Sequence, residues 1–286
     1  MAAWSDRYWT SRDGLKLHFR DYAGPSDRPP LLCLHGLTRN GRDFESLANR
    51  YAGQWRLIVP DFRGRGSSGY DPNSANYLPQ TYAADVIQLL AEIEVDRAVF
   101  IGTSLGGLVT MIVAAVAPQL IAGALLNDVG PELNTKGLDR IRDYVGKPEL
   151  FRDWAEATSA FSERLAGVHP RYDTAAWERY ARRVCRQTER GIELDYDMAI
   201  VDPFDALYIE PRPDAWPLFA ALGGRPLTIL RGETSDLLPA EAAERMRQAI
   251  PGAELVTVPK VGHAPDFEEP ETIAAVDRLL ERVLAA

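Results

Sequence analysis

The chain reads as an α/β protein, a mostly parallel sheet flanked by helices with a helical segment inserted into it. Three observations carry that reading. Short apolar runs alternate with helical periodicities at both ends of the 286-residue chain, the rhythm of strands covered on both faces. The rhythm stops between Pro131 and Arg212 and then resumes. Finally, Gly102-Thr103-Ser104-Leu105-Gly106 stands where an apolar run gives way to a helix. In that context Gly-x-Ser-x-Gly lifts a serine hydroxyl clear of the sheet.

The elements follow in order. Arg7 to Tyr22 is a hairpin turning at Asp13-Gly14, and in its second run Leu15, Leu17 and Phe19 alternate with Lys16, His18 and Arg20, which assigns His18 to solvent. Pro29-Pro30-Leu31-Leu32-Cys33-Leu34 is a continuous apolar run, as expected of a strand covered on both faces, and it runs into His35-Gly36-Leu37-Thr38. A short helix is expected over Phe44 to Tyr51 and a strand over Arg56 to Pro60. The glycine-rich turn Asp61-Phe62-Arg63-Gly64-Arg65-Gly66-Ser67-Ser68 lacks the Lys-Ser/Thr ending of a phosphate cradle; it reads as a structural loop pinned by Asp61. In Thr81 to Val95 the residues Val86, Leu89, Leu90 and Ile93 recur at helical spacing. The strand Ala98 to Ile101, the helix Leu105 to Ala117 stopped by Pro118, and the strand Ile121 to Leu126 come next.

From Pro131 the sequence mixes charged residues with aromatics, among them Tyr144, Phe151, Trp154, Phe161, Tyr172, Trp177 and Tyr180. Several short helices with no clear buried strand are expected there. The expected domains are a core of residues 1–130 and 213–286 and a helical lid of residues 131–212. The core resumes with helices over Ala215 to Leu222, Pro239 to Ile250 and Pro270 to Leu284, and strands over Pro226 to Leu230 and Leu255 to Val258.

Composition excludes several classes. Hydrophobic residues at 46% and charged residues at 26% suit a globular enzyme. A net charge of −9 offers no basic surface to a nucleic acid. Cys33 and Cys185 make no disulfide framework, the start Met-Ala-Ala-Trp-Ser-Asp-Arg lacks a signal peptide's apolar core, and no charge-free apolar stretch reaches spanning length. A cytoplasmic protein acting on a small molecule, without a membrane partner, is expected. No metal-ligand spacing appears, and the chemistry requires neither metal nor cofactor.

That chemistry begins at Ser104. A serine hydroxyl is a poor nucleophile at neutral pH and needs a base. Of the four histidines, His18 reads as exposed, His169 as a residue of a lid loop, and His35 as a brace for loops near the site. His263 follows the last strand in Gly262-His263, at the sheet edge where parallel strands end, and is the expected base. The base needs a carboxylate to orient it. Asp236, Asp128 and Glu233 all follow strand ends ahead of His263, and chain order does not separate them. The developing oxyanion needs two donors, for which the backbone N–H groups of Leu105 and Leu37 are the candidates.

Leu34-His35-Gly36, Asp61-Phe62-Arg63-Gly64-Arg65-Gly66-Ser67, Gly102-Thr103-Ser104-Leu105-Gly106-Gly107, Asp236 and Gly262-His263 together resemble an α/β-hydrolase. The resemblance extends to the lidded group that includes carboxylesterases, lactonases and meta-cleavage-product C–C hydrolases, and it covers nearly the whole chain outside the lid. It implies Asp236 as the acid of a Ser104–Asp236–His263 triad and a lid over the site. Dehalogenases and epoxide hydrolases of that group carry aspartate where this chain has Ser104, which disfavours those activities. The C–C hydrolases carry a more glycine-rich loop after His-Gly than Leu37-Thr38-Arg39-Asn40, which favours an ester or lactone over a meta-cleavage-type diketone. A slow-turnover ligand receptor on the same fold is the alternative from another class. Arg39 is a candidate for a substrate carboxylate, and Trp154 and Trp177 are candidates for walling an apolar substrate portion.

Overall fold

The computed structural model describes residues 2–208 and 214–286, with the backbone alone at 204–208. The strands are β1 (Ser5–Thr10), β2 (Lys16–Tyr22), β3 (Leu31–Leu34), β4 (Leu57–Asp61), β5 (Ala98–Thr103), β6 (Ile121–Asn127), β7 (Leu150–Phe151), β8 (Cys185–Thr188), β9 (Gly191–Leu194), β10 (Leu227–Gly232) and β11 (Glu254–Val258). The α-helices are α1 (Glu45–Tyr51), α2 (Pro79–Glu92), α3 (Leu105–Val116), α4 (Thr135–Arg142), α5 (Trp154–Leu165), α6 (Thr174–Val184), α7 (Trp216–Ala220), α8 (Ala240–Ala249) and α9 (Pro270–Leu284).

Among the described residues, eight strands form one sheet in the order β1-β2-β4-β3-β5-β6-β10-β11. β1 and β2 pair antiparallel, as does β2 with β4, and every later pair is parallel. The period-2 alternation of strand side chains divides the core into two layers. Leu32, Leu34 and Phe100 pack with α2, α3, α7 and α8, whereas Leu31, Cys33, Val99 and Ile101 pack with α1 and α9. Fully burying one such leucine contributes roughly 1.5–3 kcal/mol, so β3 and β5 at the sheet's centre are held firmly, and the residues at their ends inherit that rigidity.

His18 departs from the sequence expectation. It lies opposite Asp61 in the β2–β4 register and is 2% exposed. Its Nδ1 is 2.8 Å from an Asp61 carboxylate oxygen and its Nε2 2.9 Å from Asp6. Alternation alone assigns His18 to solvent because it ignores cross-strand partners: a carboxylate facing His18 offsets the cost of burial. Burial alone would depress the His18 pKa, but the bonds to Asp61 and Asp6 outweigh it and raise the value. Asp61 does pin its loop, accepting from the Gly41 and Ser67 amides at 2.7 and 3.0 Å.

Between β6 and β10 the chain forms α4, α5 and α6 and also a small antiparallel sheet in the order β7-β9-β8, where strands were not expected. These strands are only two to four residues long, too short to stand out in a charged stretch. They still deliver Phe151, Cys185 and Ile192 to a cluster completed by Ala157, Phe161, Trp177, Ala181 and Val184. The expected boundary at 212/213 lies outside the described residues. Among the described residues no helix is long and apolar enough to cross a membrane.

Candidate active site

The turn from β5 into α3 is as tight as the motif requires. Ser104 has φ +52° and ψ −116°, a conformation that costs a non-glycine residue energy and persists only where its surroundings over-determine it. They do. A Cβ on Gly102 would lie 2.5 Å from the Gly106 carbonyl oxygen, and one on Gly106 would overlap the carbonyl oxygen of Leu34. The Ser104 amide is tied to the end of β6 through the Asn127 carbonyl at 2.9 Å.

His263, in the loop after β11, comes to this serine: its Nε2 is 3.0 Å from Ser104 Oγ. Its Nδ1 is 2.7 Å from Asp128 Oδ2. Asp128 is fully buried at the end of β6, with φ +56°. Its other carboxylate oxygen accepts from the Gly232 amide at 3.0 Å, and Oδ2 also accepts from Ser235 Oγ at 2.5 Å. Asp236, assigned through resemblance as the orienting acid, is not placed against His263. It holds Arg140 in a two-pronged pair at 2.6 and 2.8 Å, and the Arg140 guanidinium lowers its pKa. The correction has a geometric cause. β6 and β10 are neighbours, so both strand ends open beside the β11 loop. The left-handed turn at Asp128 sends its carboxylate back over the Gly232 amide, while Asp236 lies four residues beyond the end of β10 and reaches outward.

The loop that carries Leu37 is braced by His35. Its ring is fully buried; Nε2 accepts from the Phe62 amide at 3.0 Å and Nδ1 lies 2.7 Å from the Gly36 carbonyl. With one nitrogen accepting and the other donating, the imidazole is neutral, and burial pushes its pKa down to about 4. Gly36 C=O and Leu37 N–H belong to one planar peptide, so His35 fixes the direction in which Leu37 N–H points. Arg65, also fully buried, holds the Leu37 carbonyl at 2.9 Å. Leu105 N–H, in the first turn of α3, has no acceptor within its own helix.

A cavity of about 220 Å³ opens at Ser104, with Leu37, Phe161, Tyr180 and His263 in its wall. Its charges are largely paired. Arg39 holds Asp43 at 2.8 and 2.5 Å with its guanidinium 4.5 Å from the centre of the Tyr180 ring, so its fork is already engaged. Arg164 pairs with Glu149 at 2.9 Å, and the Tyr172 hydroxyl donates to Asp266. Trp154 and Trp177 are not in this wall. They border a separate outer groove, Trp154 under Arg182 and Trp177 edge-on to Tyr172 and Tyr180. The sequence puts large aromatics in the segment but does not say which of them reach the cavity. Phe161, Tyr172 and His169, which do line the cavity, carried no motif.

A family model described as the alpha/beta hydrolase family matches residues 31–276. The chain is 32% identical over 271 residues to a 3-hydroxybutyrate-oligomer hydrolase of Cupriavidus necator, spanning 91% of this chain and 90% of that one. It is 28% identical over 256 residues to a 2-(acetamidomethylene)succinate hydrolase of Mesorhizobium japonicum, spanning 88% of each. The crystal structure of an alpha/beta hydrolase from Novosphingobium aromaticivorans matches with a TM-score of 0.94 at 54% identity over 99% of both chains. On the family match and the parallel sheet that carries the elbow, this chain belongs to the alpha/beta hydrolase family and is a hydrolase.

Proposed function

We propose that the protein is a serine hydrolase of small carboxylic esters, working through an acyl-enzyme with Ser104, His263 and Asp128 as its triad. The observation that carries this reading is the continuous chain of bonds from Ser104 Oγ to His263 at 3.0 Å and from His263 to Asp128 at 2.7 Å. His263 Nε2 takes the hydroxyl proton as Ser104 Oγ attacks the ester carbonyl carbon. The carbonyl oxygen becomes an oxyanion facing the N–H groups of Leu37 and Leu105. Collapse breaks the bond to the alkoxy group, which leaves with the proton from His263. A water then repeats the sequence on the acyl-enzyme, releasing the acid and restoring Ser104. Asp128 keeps the proton on Nδ1 throughout, so Nε2 remains free to accept.

An ester is favoured because 3-hydroxybutyrate units join to one another through ester bonds, and the relative named for such oligomers spans 91% of this chain. The paired charges of the wall suit a neutral substrate, since a carboxylate at Arg39 or Arg164 would have to displace Asp43 or Glu149. We also propose that the segment from Pro131 to about Arg212 acts as a lid. Val168 accepts from the Gly262 amide at 2.9 Å, and the Arg183 carbonyl accepts from Asn40 Nδ2 at 2.9 Å. These bonds latch the segment to the loops that carry His263 and Leu37. The test is kcat/KM for purified protein on short acyl esters, lactones and a vinylogous diketone. Esters should be cleaved fastest; fastest cleavage of the diketone would assign a C–C hydrolase instead, and binding without turnover a receptor.

A further inference from the structure

Among the described residues, three polar side chains of the cavity wall hold a buried atom without a hydrogen-bond partner, His169 Nδ1, Arg183 Nε and the Tyr196 hydroxyl, and of these His169 lies on the loop tied to the one that carries His263. His169 lies in the loop between α5 and α6 and is only 7% exposed. Its ring lies flat against Tyr172, with centres 4.5 Å apart and planes 10° from parallel, and its Nδ1 has no hydrogen-bond partner. A buried ring nitrogen left unpaired costs free energy, so an unfilled one in a substrate cavity points to a group that arrives with the substrate. Burial pushes the pKa down to about 4, so at neutral pH the ring offers one donor and one acceptor.

The loop places this ring near the reacting atoms. The Val168 carbonyl, immediately before His169, accepts from the amide of Gly262, immediately before His263. Two consecutive pairs, Val168-His169 and Gly262-His263, are thereby clamped together, and both histidines line the same cavity as Ser104. Neighbouring polar groups are engaged within the protein, Tyr172 with Asp266, Arg39 with Asp43, and Arg183 with Glu268 at 3.2 Å through Nη1, although Arg183 Nε stays unpaired.

We propose that His169 is a specificity residue that hydrogen-bonds an oxygen on the acyl chain, a few bonds from the scissile carbonyl, so that the preferred substrates are esters of hydroxyalkanoic acids. The proposal rests on the ester-hydrolase reading above. A hydroxyl both donates and accepts, so it satisfies Nδ1 in either tautomer. A plain alkanoyl chain leaves Nδ1 bare and buried, and a site built around a polar group discriminates against the analogue that lacks it.

The experiment compares kcat/KM for methyl 3-hydroxybutyrate and methyl butyrate, which share a leaving group and differ by one hydroxyl. The wild type should prefer the hydroxy ester by about 10-fold or more. His169→Phe keeps a flat ring against Tyr172 but has no nitrogen, and the preference should collapse to about 2-fold or less. His169→Gln, which can donate and accept, should recover part of it. Thermal melts of each variant establish that it is folded, and the ratio is internal to each protein, so a general loss of activity does not mimic the effect. No preference in the wild type, or the same preference in the wild type and His169→Phe, overturns the assignment while leaving the ester reading intact. Hydrolysis of neither ester, nor of any other short acyl ester, by the wild type overturns the ester reading itself, and the assignment with it.

Discussion

Replacing Asp128 by asparagine tests the corrected triad at its most sensitive point. The isosteric side chain can keep only one oxygen, and the surroundings decide where it goes. The Gly232 amide donates to Oδ1 at 3.0 Å and cannot become an acceptor, so the asparagine carbonyl belongs there. Its NH₂ group then faces His263 Nδ1 and Ser235 Oγ, which were 2.7 and 2.5 Å from Oδ2. The serine hydroxyl can rotate and accept. The neutral imidazole can accept only by moving its proton to Nε2, which then presents an N–H to Ser104 and is no longer a base. The loss expected from a wrong tautomer is about 10⁴-fold in kcat, or roughly 5 kcal/mol of barrier. Asp236→Asn removes instead a pair with Arg140 whose side chains are 22% and 32% exposed; such pairs are worth under about 1 kcal/mol, and kcat should stay within about 5-fold. Initial rates on a chromogenic aryl ester, with melting curves for each variant, decide between them. A 10⁴-fold loss in Asp236→Asn with near-normal Asp128→Asn would refute the reasoning and return the acid role to Asp236.

Two further outcomes follow. Phe161 lines the Ser104 cavity and Trp154 does not, so Phe161→Ala should move the optimum of kcat/KM to longer acyl chains, by about 4-fold per methylene newly accommodated. Trp154→Ala should leave the profile where it was, and an equal shift in both would show that the outer groove also reads the acyl chain. Acid stability should reveal His35, whose pKa burial pushes from 6.5 down to about 4. Between those values the unfolded chain binds a proton that the native ring refuses. The stabilisation is therefore complete above pH 6.5 and lost as pH falls toward 4, by up to about 1.4 kcal/mol per pH unit. His35→Gln can retain both hydrogen bonds without titrating, so the stability gap between wild type and variant in urea should shrink across that window. Glu269, pushed up to about 9 by burial and the Asp266 charge, acts with the opposite sign and cancels in the difference. A gap independent of pH would contradict a neutral buried His35.

The sheet was legible because its strands are covered on both faces and read as unbroken apolar runs; β3, β5 and β6 are wholly or almost wholly buried. The meeting of Ser104 with His263 was legible because each is tied to local sequence, a glycine-bounded turn in one case and the end of the last strand in the other. The acid was not. Asp128 and Asp236 both follow strands ahead of His263, and only the register of β6 beside β10 and the backbone turn at Asp128 separate them. His18 was misplaced for a related reason, because its partner Asp61 sits on a strand 43 residues away. The wall of the cavity was hidden for a third. Phe161 and Trp154 stand seven residues apart on α5, two turns along nearly the same face, and which of them reaches the cavity depends on where along α5 the cavity opens. No local period encodes that contact.

The central claim is that Ser104 is a nucleophile made reactive by His263. Its most direct test is intact-protein mass spectrometry after treatment with an activated fluorophosphonate, followed by peptide mapping. The account predicts one adduct per chain, located on Ser104 and absent from Ser104→Ala. An unlabelled wild type, or an adduct of equal yield in Ser104→Ala, would contradict it.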